Sequence, residues 1–352
     1  VSAEEWAVAE PYFGLDRPPN FEGHAWHLRL MQPLESVAAA LAISLPDART
    51  RLTGAQSALF AAREKRIRPG RDDKILTSWN ALAVSGLARA ARAQDEPRWA
   101  ELAMAATDRL SRTAWRDDRL LATRFGDRAD LNGYLDDYAF LLAALVELMQ
   151  THFRVEDYAW ARELADALLV RFEDAERGGF FFTSHDHEKL FHRTKPGPDN
   201  ATPSGNGVAA GALIALGHLA SEPRYIDAAE RCVRLFAPML AESPGGCSTL
   251  LAALADLESP PAAIIIDGEV DAARAWQQAL EARYRPSVRV FNIAGIANAP
   301  PALTKGPRPA TGAVAWVCRG TQCLPPIHDL EELESALASS RGGTAPLSAG
   351  AA

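Results

Sequence analysis

The sequence is short of several features that would mark a particular class of protein. It has no apolar run long enough to cross a membrane, so we expect no membrane partner. It has no long basic run, and its net charge is −8. Affinity for nucleic acid depends on Lys and Arg that neutralise phosphate, so we expect no nucleic-acid partner. With 48% hydrophobic and 23% charged residues, the composition is typical of a globular chain with a sizeable core.

Cysteine is scarce, and its placement favours neither a redox motif nor a metal site. There is no C-x-x-C motif, and Cys232 and Cys247 fall in helical patterns, where a buried thiol is the ordinary interpretation. Cys318 and Cys323 have no second pair and no nearby histidine at a ligand spacing, so we expect no zinc, and their role stays open. We expect a reduced, cytoplasmic protein with no metal and no cofactor. The start, Val1–Glu5, is not a signal peptide and lacks Met, which suggests a piece of a longer chain.

The middle of the chain repeats a helical hairpin about every sixty residues. The second helix of each pair opens with an acidic residue and an aromatic one, at Trp99, Tyr158 and Tyr225. The first helices are apolar on nearly every side, which predicts inner helices packed on several sides. The predicted pairs are 78–93 with 98–114, 134–151 with 156–174, and 204–220 with 224–241.

Other segments predict strands. Two aromatic runs within 178–193 flank three polar residues and predict a β-hairpin, and 119–125 is a similar piece. After residue 259, strands alternate with helices, which predicts a small α/β unit whose sheet is mainly parallel. We therefore predict an incomplete helical toroid over 1–258, a small α/β unit over 259–340 and a disordered tail over 341–352.

Clusters of carboxylates, amides and hydroxyls precede or open three of the predicted inner helices. They are Arg68–Asn80, Leu135–Tyr138 and Asp199–Asn206. Helix N-termini offer unpaired N–H groups and the positive end of the helix dipole, so such clusters can form a polar pocket. Because Asp is also a favoured N-cap, each single Asp could equally be structural.

These motifs, together with Gly178-Gly179-Phe180 and the C-terminal Val317–Pro326, resemble the spermatogenesis-associated protein 20 family, whose bacterial members are often called thioredoxin domain-containing proteins. The resemblance runs from about Tyr12 to Leu337. It implies an (α/α)6 toroid of the six-hairpin glycosidase type, similar to N-acylglucosamine 2-epimerases, after an N-terminal thioredoxin-like domain. About four hairpins are visible, so we expect the first hairpins and the thioredoxin-like domain to lie outside this chain.

In such toroids, the resemblance implies, the active site lies at one end of the inner helices. Sugar chemistry commonly needs two carboxyl groups, and our candidate catalytic residues are Asp73, Asp136 and Asp137. Our candidate substrate-binding residues are the neighbouring polar and aromatic ones: Asp72, Lys74, Trp79, Asn80, Tyr138, Arg193, Asp199, Ser204 and Asn206.

Each of these assignments has a structural alternative. Asn80, Ser204 and Asn206 could hold sugar hydroxyls, or they could be ordinary caps and turns. Lys74 and Arg193, with Arg71 and Lys195, could give the pocket a cationic side or could pair with the Asp residues. The histidines His185, His187 and His192 are close in sequence, but solvated histidines at a hairpin tip are commoner than metal ligands.

The leading hypothesis is a carbohydrate-active enzyme, or its remnant, that acts on a sugar or sugar derivative by Asp-based acid/base chemistry. Both glycoside hydrolase-like and sugar epimerase-like or isomerase-like reactions are open. Because no histidine falls in the motif segments, hydrolase-like chemistry is favoured. The alternative is a sugar-binding or redox-linked regulatory protein whose thioredoxin-like domain carries the chemistry.

Overall fold

The structure, a computed structural model, describes residues 1–320 and 322–339. The predicted tail over 341–352 lies outside these residues. The chain divides into two compact units, of which the first is Val1–Asp72 and the second begins at Asp73. The boundary that we place at residue 258 stays a prediction.

The first unit is a small helical body with its own core. Its helices are α1 Ala3–Phe13, α2 Leu34–Ala40 and α3 Leu45–Glu64. Ser2 and Glu5 form a capping box at the start of α1, and Ser44 caps α3. Val8, Val37 and Leu52 bring the apolar faces of the three helices together.

The helical hairpins form the larger part of the second unit. Four inner helices are α4 Thr77–Gln94, α6 Leu135–Thr151, α8 Gly205–Ala220 and α10 Ser248–Glu258. Three outer helices are α5 Pro97–Ala114, α7 Val155–Arg171 and α9 Pro223–Glu242, and a short 3-10 helix spans Pro244–Gly246. α6 and α8 are buried along most of their length, whereas α5 and α9 bury one face. This arrangement confirms the predicted fold class, a mainly α fold that forms part of a helical toroid.

The inner helices run in the same direction, because their N-terminal ends lie side by side. α4 packs against α6, α6 against α8, and α8 against α10. Small residues allow the close approach. A Cβ added to Gly207 in the first turn of α8 would lie 2.1 Å from Thr249 Oγ1, at the start of α10.

A small sheet lies beside the first hairpin. Its strands are β1 Ile75–Leu76, β2 Trp115–Arg116, β3 Arg119–Phe125 and β4 Arg128–Asn132, all paired antiparallel with β3. The β-hairpin predicted within 178–193 is wrong, because the structure has no strand there. The Asn206 side chain hydrogen-bonds both backbone groups of Phe180, and the Phe182 carbonyl accepts from Leu135 N, so a side chain and a helix end, together with an isolated bridge between Glu173 and Phe180, bond this segment.

The last part of the second unit is the expected α/β segment. Its elements are β5 Ala262–Gly268, α11 Val270–Glu281, β6 Val288–Asn292, β7 Ala313–Arg319, β8 Gln322–Cys323 and α12 Leu330–Ser339. The strand order is β6-β5-β7-β8, and only β5 and β6 are parallel. The sheet is therefore mixed, whereas we predicted one that is mainly parallel.

The cysteines differ in state. Cys232 and Cys247 are buried thiols, as predicted. Cys318 and Cys323 are register partners in the β7–β8 hairpin and form a disulfide, with their Cα atoms 3.9 Å apart. The structure thus departs from the expectation of a fully reduced chain.

Candidate functional site

The N-terminal ends of the four inner helices lie together, and we call this the N-terminal face. It is defined by the first turns of α4, α6, α8 and α10, which begin at Thr77, Leu135, Gly205 and Ser248. Most of the candidate residues lie in these turns or immediately before them. Carboxylates join one helix start to the next.

Asp137 joins the starts of α4 and α6. One carboxylate oxygen accepts from Ser78 N at 2.9 Å, and the other accepts from Tyr134 N at 2.9 Å. The side chain is buried, and burial raises the pKa of Asp137 to about 6, against hydrogen bonds that favour the ionised form. Both oxygens are therefore engaged in capping two helices.

Asp199 joins the starts of α8 and α10. Its carboxylate accepts from Ser204 N, from Thr249 N and from the hydroxyls of Ser248 and Thr249, at 2.5 to 3.0 Å. The pKa of Asp199 lies near 2, because these donors outweigh the effect of partial burial. The carboxylate is ionised and fully committed to the two helix starts.

Ser204 and Asn206 fix the start of α8. Ser204 is its N-cap, with the hydroxyl accepting from Gly207 N and donating to the Pro196 carbonyl. Asn206 is fully buried, and its amide accepts from Phe180 N and donates to the carbonyls of Phe180 and Pro196. The polar groups of both side chains are used inside the protein.

Tyr138 is also an internal group. Its ring is buried against Trp115 and Phe172, and its hydroxyl accepts from Leu120 N at 2.8 Å. It holds β3 against the start of α6.

Asp136 differs from its neighbours. Its carboxyl group is half-buried where the starts of α6 and α8 meet, and a Cβ added to Gly205 would lie 2.2 Å from Asp136 Oδ1. Within the part of the chain that the structure describes, it has no hydrogen-bond donor and no cationic partner. Burial raises the pKa of Asp136 to about 6. A carboxyl group of this kind is available for proton transfer.

The start of α4 presents an aromatic ring to solvent. The Trp79 side chain is 62% exposed, and Asn80 is half-buried with its amide donating to the Leu76 carbonyl. Asp73 and Lys74 precede this helix and are exposed. Asp72 and Arg71 are exposed residues at the end of the first unit.

The cationic candidates belong to the irregular segment before α8. Arg193 lies over the Phe181 ring, with 4.0 Å from its guanidinium carbon to the ring centre, and donates to the Thr183 carbonyl. Lys195 donates to Asp174 and to the Gly178 carbonyl, both at 2.7 Å. The Asp174 contact favours the pairing alternative for Lys195, whereas the Arg193 contacts are to an aromatic ring and a backbone carbonyl rather than to an Asp.

Sequence reasoning missed the residues that complete these contacts. Ser78, Ser248 and Thr249 supply the donors to Asp137 and Asp199, and Gly205 makes room for Asp136. Small and hydroxyl residues in the first turn of each inner helix were the available signal. Across residues 1–320 and 322–339, no group of His, Cys, Asp or Glu is arranged to hold a metal ion, and no helix is long and apolar enough to span a membrane.

Two cavities lie elsewhere in the second unit. One, of about 800 Å3, lies between the C-terminal ends of α4 and α6 and the α/β segment. The other, of about 770 Å3, is an apolar groove between α9 and α10 that is lined by Val233, Leu240 and Leu254. The cavity of about 800 Å3 is lined by residues that we did not select from the sequence.

Solved structures with a partial likeness to the chain are enzymes of sugar chemistry. The GH76 α-mannanase BT2949 of Bacteroides thetaiotaomicron is 11% identical, with a TM-score of 0.43 over 60% of this chain and 57% of that one. Unsaturated glucuronyl hydrolase of Bacillus sp. GL1 is 17% identical, with a TM-score of 0.42 over 55% of this chain and 62% of that one. Cellobiose 2-epimerase of Spirochaeta thermophila is 19% identical, with a TM-score of 0.38 over 47% of this chain and 44% of that one.

Curated proteins match nearly the whole chain. Human spermatogenesis-associated protein 20 is 27% identical over 328 residues, which are 88% of this chain and 42% of the relative. The mouse protein of the same name is 25% identical over 338 residues, 91% of this chain and 43% of the relative. No protein family model matches. The chain, which spans about two fifths of the length of these relatives, is therefore similar in sequence to the spermatogenesis-associated protein 20 family, as its motifs predict.

Proposed function

We propose that the chain is the site-bearing part of an enzyme that acts on a sugar or sugar derivative at the N-terminal face. Asp136 is the proposed proton donor and acceptor. The observation that carries the proposal is the contrast between Asp136 and its neighbours. Asp137 and Asp199 are committed to backbone N–H groups of two helices each, whereas Asp136 has no such donor among the described residues.

A raised pKa suits the donor role. Burial brings the pKa of Asp136 to about 6, so a substantial part of the carboxyl group is protonated just below neutral pH. General acids of sugar chemistry are carboxyl groups whose surroundings raise their pKa in this way. Asp136 can then protonate a leaving oxygen, or exchange a proton with a sugar carbon or hydroxyl.

The surrounding residues supply the remaining parts of the proposal. Asp73, exposed ahead of α4, is the proposed second carboxylate that acts as the base. Trp79 presents an exposed ring at the start of α4, suited to stacking on the apolar face of a sugar ring. We assign Asp137, Tyr138, Asp199, Ser204 and Asn206 to positioning these helix starts, because their polar groups are bonded inside the protein.

The test is a substrate screen followed by a variant comparison. The chain is incubated with a panel of mono- and oligosaccharides, and new anomeric signals are followed by proton NMR. In Asp136→Asn we expect turnover to fall by about 10²- to 10⁴-fold, the usual contribution of a general acid or base. Its thermal midpoint should not fall, because no hydrogen bond to the carboxylate is lost, and above about pH 6 it should rise, because the substitution removes a carboxylate whose ionised form is disfavoured by burial.

Asp227→Asn is the matched control, since Asp227 is an exposed aspartate in the first part of the outer helix α9. This variant should keep both activity and stability. Full activity in Asp136→Asn would overturn the proposed role of Asp136. A sugar that raises the thermal midpoint of the wild-type protein without being converted would favour the sugar-binding alternative.

A further inference from the structure

The cavity of about 800 Å3 lies at the end of α4 and α6 opposite to the N-terminal face. α4 ends at Gln94 and α6 at Thr151, and both of these residues line it. One wall is α11, which contributes residues from Val270 to Glu281, and β6 contributes Asn292. The cavity is therefore separate from the proposed sugar site.

Carboxylates dominate the charge of this cavity. Asp95, Glu96, Glu101 and Glu281 line it, and the cations among its lining residues are Arg92 and Arg274. Arg92 is already paired: it donates to the Glu147 carboxylate at 2.7 Å, which Arg89 also contacts, and to the Glu147 carbonyl and the Thr151 hydroxyl, so the four carboxylates still outnumber the two cations of the lining. The net charge that a ligand would meet is negative.

The helix ends around the cavity add to its negative electrostatic potential. The C-terminal end of a helix carries the negative end of its dipole, and those of α4 and α6 both open into the cavity. The N-terminal end of α5 is nearby, but the Glu96 side chain accepts a hydrogen bond from Arg98 N there and offsets its positive end. Asp95, at the end of α4, adds a carboxylate on a left-handed turn with φ of 50°.

Glu281 is the most enclosed of the cavity carboxylates. It accepts a hydrogen bond from Gln277 Nε2 at 3.0 Å, and Gln277 is in turn held by the Gln150 carbonyl and by Asn292. Burial raises the pKa of Glu281 to about 7, so a positive charge beside it would stabilise the ionised form. The apolar part of the lining includes Met104, Met149 and Phe153, which suits a hydrocarbon chain.

We propose that this cavity binds a small organic cation, an alkylammonium or diamine whose charged group lies between Glu281 and Asp95. The hydrocarbon part contacts the methionines and Phe153. An organic cation fits better than a metal ion, because no set of carboxylates or histidines within residues 1–320 and 322–339 is arranged as metal ligands. Nothing in this proposal depends on the sugar chemistry proposed for the N-terminal face.

The experiment is isothermal titration of the chain with 1,4-diaminobutane at low salt, with 1,4-butanediol as the neutral control of the same length. We expect saturable one-site binding of the diamine, with a Kd of about 1 mM or tighter, and no binding of the diol. Repeating the titration just below pH 7 in two buffers of different ionisation enthalpy should show release of protons, because the cation lowers the pKa of Glu281. The other charged or titratable groups that line the cavity are Arg92, Asp95, Glu96, Glu101, His152 and Arg274.

Two variants on different elements test the placement. Glu281→Gln keeps the shape of the side chain, and Asp95→Asn keeps a residue that tolerates a left-handed turn. Each should weaken diamine binding by about 10-fold, which corresponds to about 1.4 kcal/mol. Glu281→Gln should also abolish proton release.

Glu163→Gln is the control for charge in general, because Glu163 is an exposed glutamate of the outer helix α7. It should bind the diamine within about 2-fold of the wild-type protein. Equal weakening in all three variants would overturn the proposal, since it would mean non-specific attraction to an acidic protein. Equal binding of the diol, or no saturable binding, would also overturn it.

Discussion

The two ends of the inner helices use acidic residues in opposite ways. At the N-terminal face, Asp137 and Asp199 accept hydrogen bonds from backbone N–H groups of neighbouring helices. At the other end, Asp95 and Glu281 line a cavity next to helix C-termini, where exposed carbonyl groups cannot donate to them. The same residue type therefore joins helices at one end and leaves negative charge around a cavity at the other.

The comparison teaches that an acidic cluster is informative only when its hydrogen-bond donors are known. A carboxylate that accepts from two or more N–H donors has its oxygens occupied in a structural role, even where burial raises its pKa to about 6, as in Asp137. A carboxyl group that is buried with fewer than two such donors keeps at least one oxygen available for chemistry or for a ligand. Asp136 and Glu281 are the members of this second kind on which our proposals depend.

Among substitutions at the N-terminal face, we expect Asp199→Ala to have the largest effect on the free energy of unfolding. The substitution removes every hydrogen bond that joins the α8 cap to the first turn of α10. The free energy of unfolding should fall by about 3 kcal/mol, from the lost cap and the unpaired donors. Urea unfolding measures this free energy. In the control variant Asp227→Ala, the free energy of unfolding should change by less than about 0.5 kcal/mol. A loss below about 1 kcal/mol would show that the joint between α8 and α10 does not depend on Asp199.

Gly205→Ala tests how closely α6 and α8 approach. An added Cβ would lie 2.2 Å from Asp136 Oδ1 and 3.0 Å from Leu135 Cγ, so we expect a loss of about 1–3 kcal/mol in the free energy of unfolding. The loss should shrink when Asp136→Ala is combined with it, because the first contact is removed.

Gly211→Ala is the control on the same helix, since an added Cβ there meets nothing within 4 Å. It should stabilise the protein by up to about 1 kcal/mol, the difference in helix propensity. Equal effects of Gly205→Ala and Gly211→Ala would contradict the close contact at Asp136.

The smallest effect that we expect concerns the pH dependence of stability, which should differ between the carboxyl groups Asp136 and Glu281 at the two ends of the inner helices. Burial raises the pKa of Asp136 from 3.8 to about 6 and that of Glu281 from 4.5 to about 7. Between the unfolded and folded pKa values the native state binds more protons, so each group contributes stability that is present below its unfolded pKa and lost as pH rises through the folded value.

Unfolding curves from pH 4 to pH 8 measure these contributions. Relative to Asp136→Asn, the wild-type protein should lose stability mainly between about pH 4 and 6. Relative to Glu281→Gln, it should lose stability mainly between about pH 4.5 and 7. Two difference curves that coincide, or that rise with pH, would remove the distinction between the two carboxyl groups.

Much of the fold is predictable from the sequence. The apolar periodicity and the recurring aromatic at Trp99, Tyr158 and Tyr225 locate the hairpins, because one face of each helix must be buried. The aromatic runs within 178–193 misled us, because a buried irregular segment needs apolar residues as much as a strand does. Two of the hydrogen bonds that hold this segment come from the side chain of Asn206, which is 26 positions from its partner Phe180.

The candidate site, like the fold, is only partly predictable from the sequence. The sequence places carboxylates, amides and hydroxyls at the starts of inner helices, and parallel packing brings those starts together. Adjacent residues such as Asp136 and Asp137 look equivalent in the sequence. Their surroundings separate them, because Ser78 N reaches Asp137 from another helix whereas Gly205 packs against Asp136.

By itself, the sequence determined the helical hairpins, the family resemblance and the acidic character of the helix starts, because these depend on residue type and spacing along the chain. Only the tertiary structure decided which carboxylates are capped and which are not, where the cavity lies, and which cysteines pair. The physical reason is that hydrogen-bond donors, desolvation and enclosing walls come from residues distant in sequence. A residue's chemistry depends on those neighbours as much as on its type.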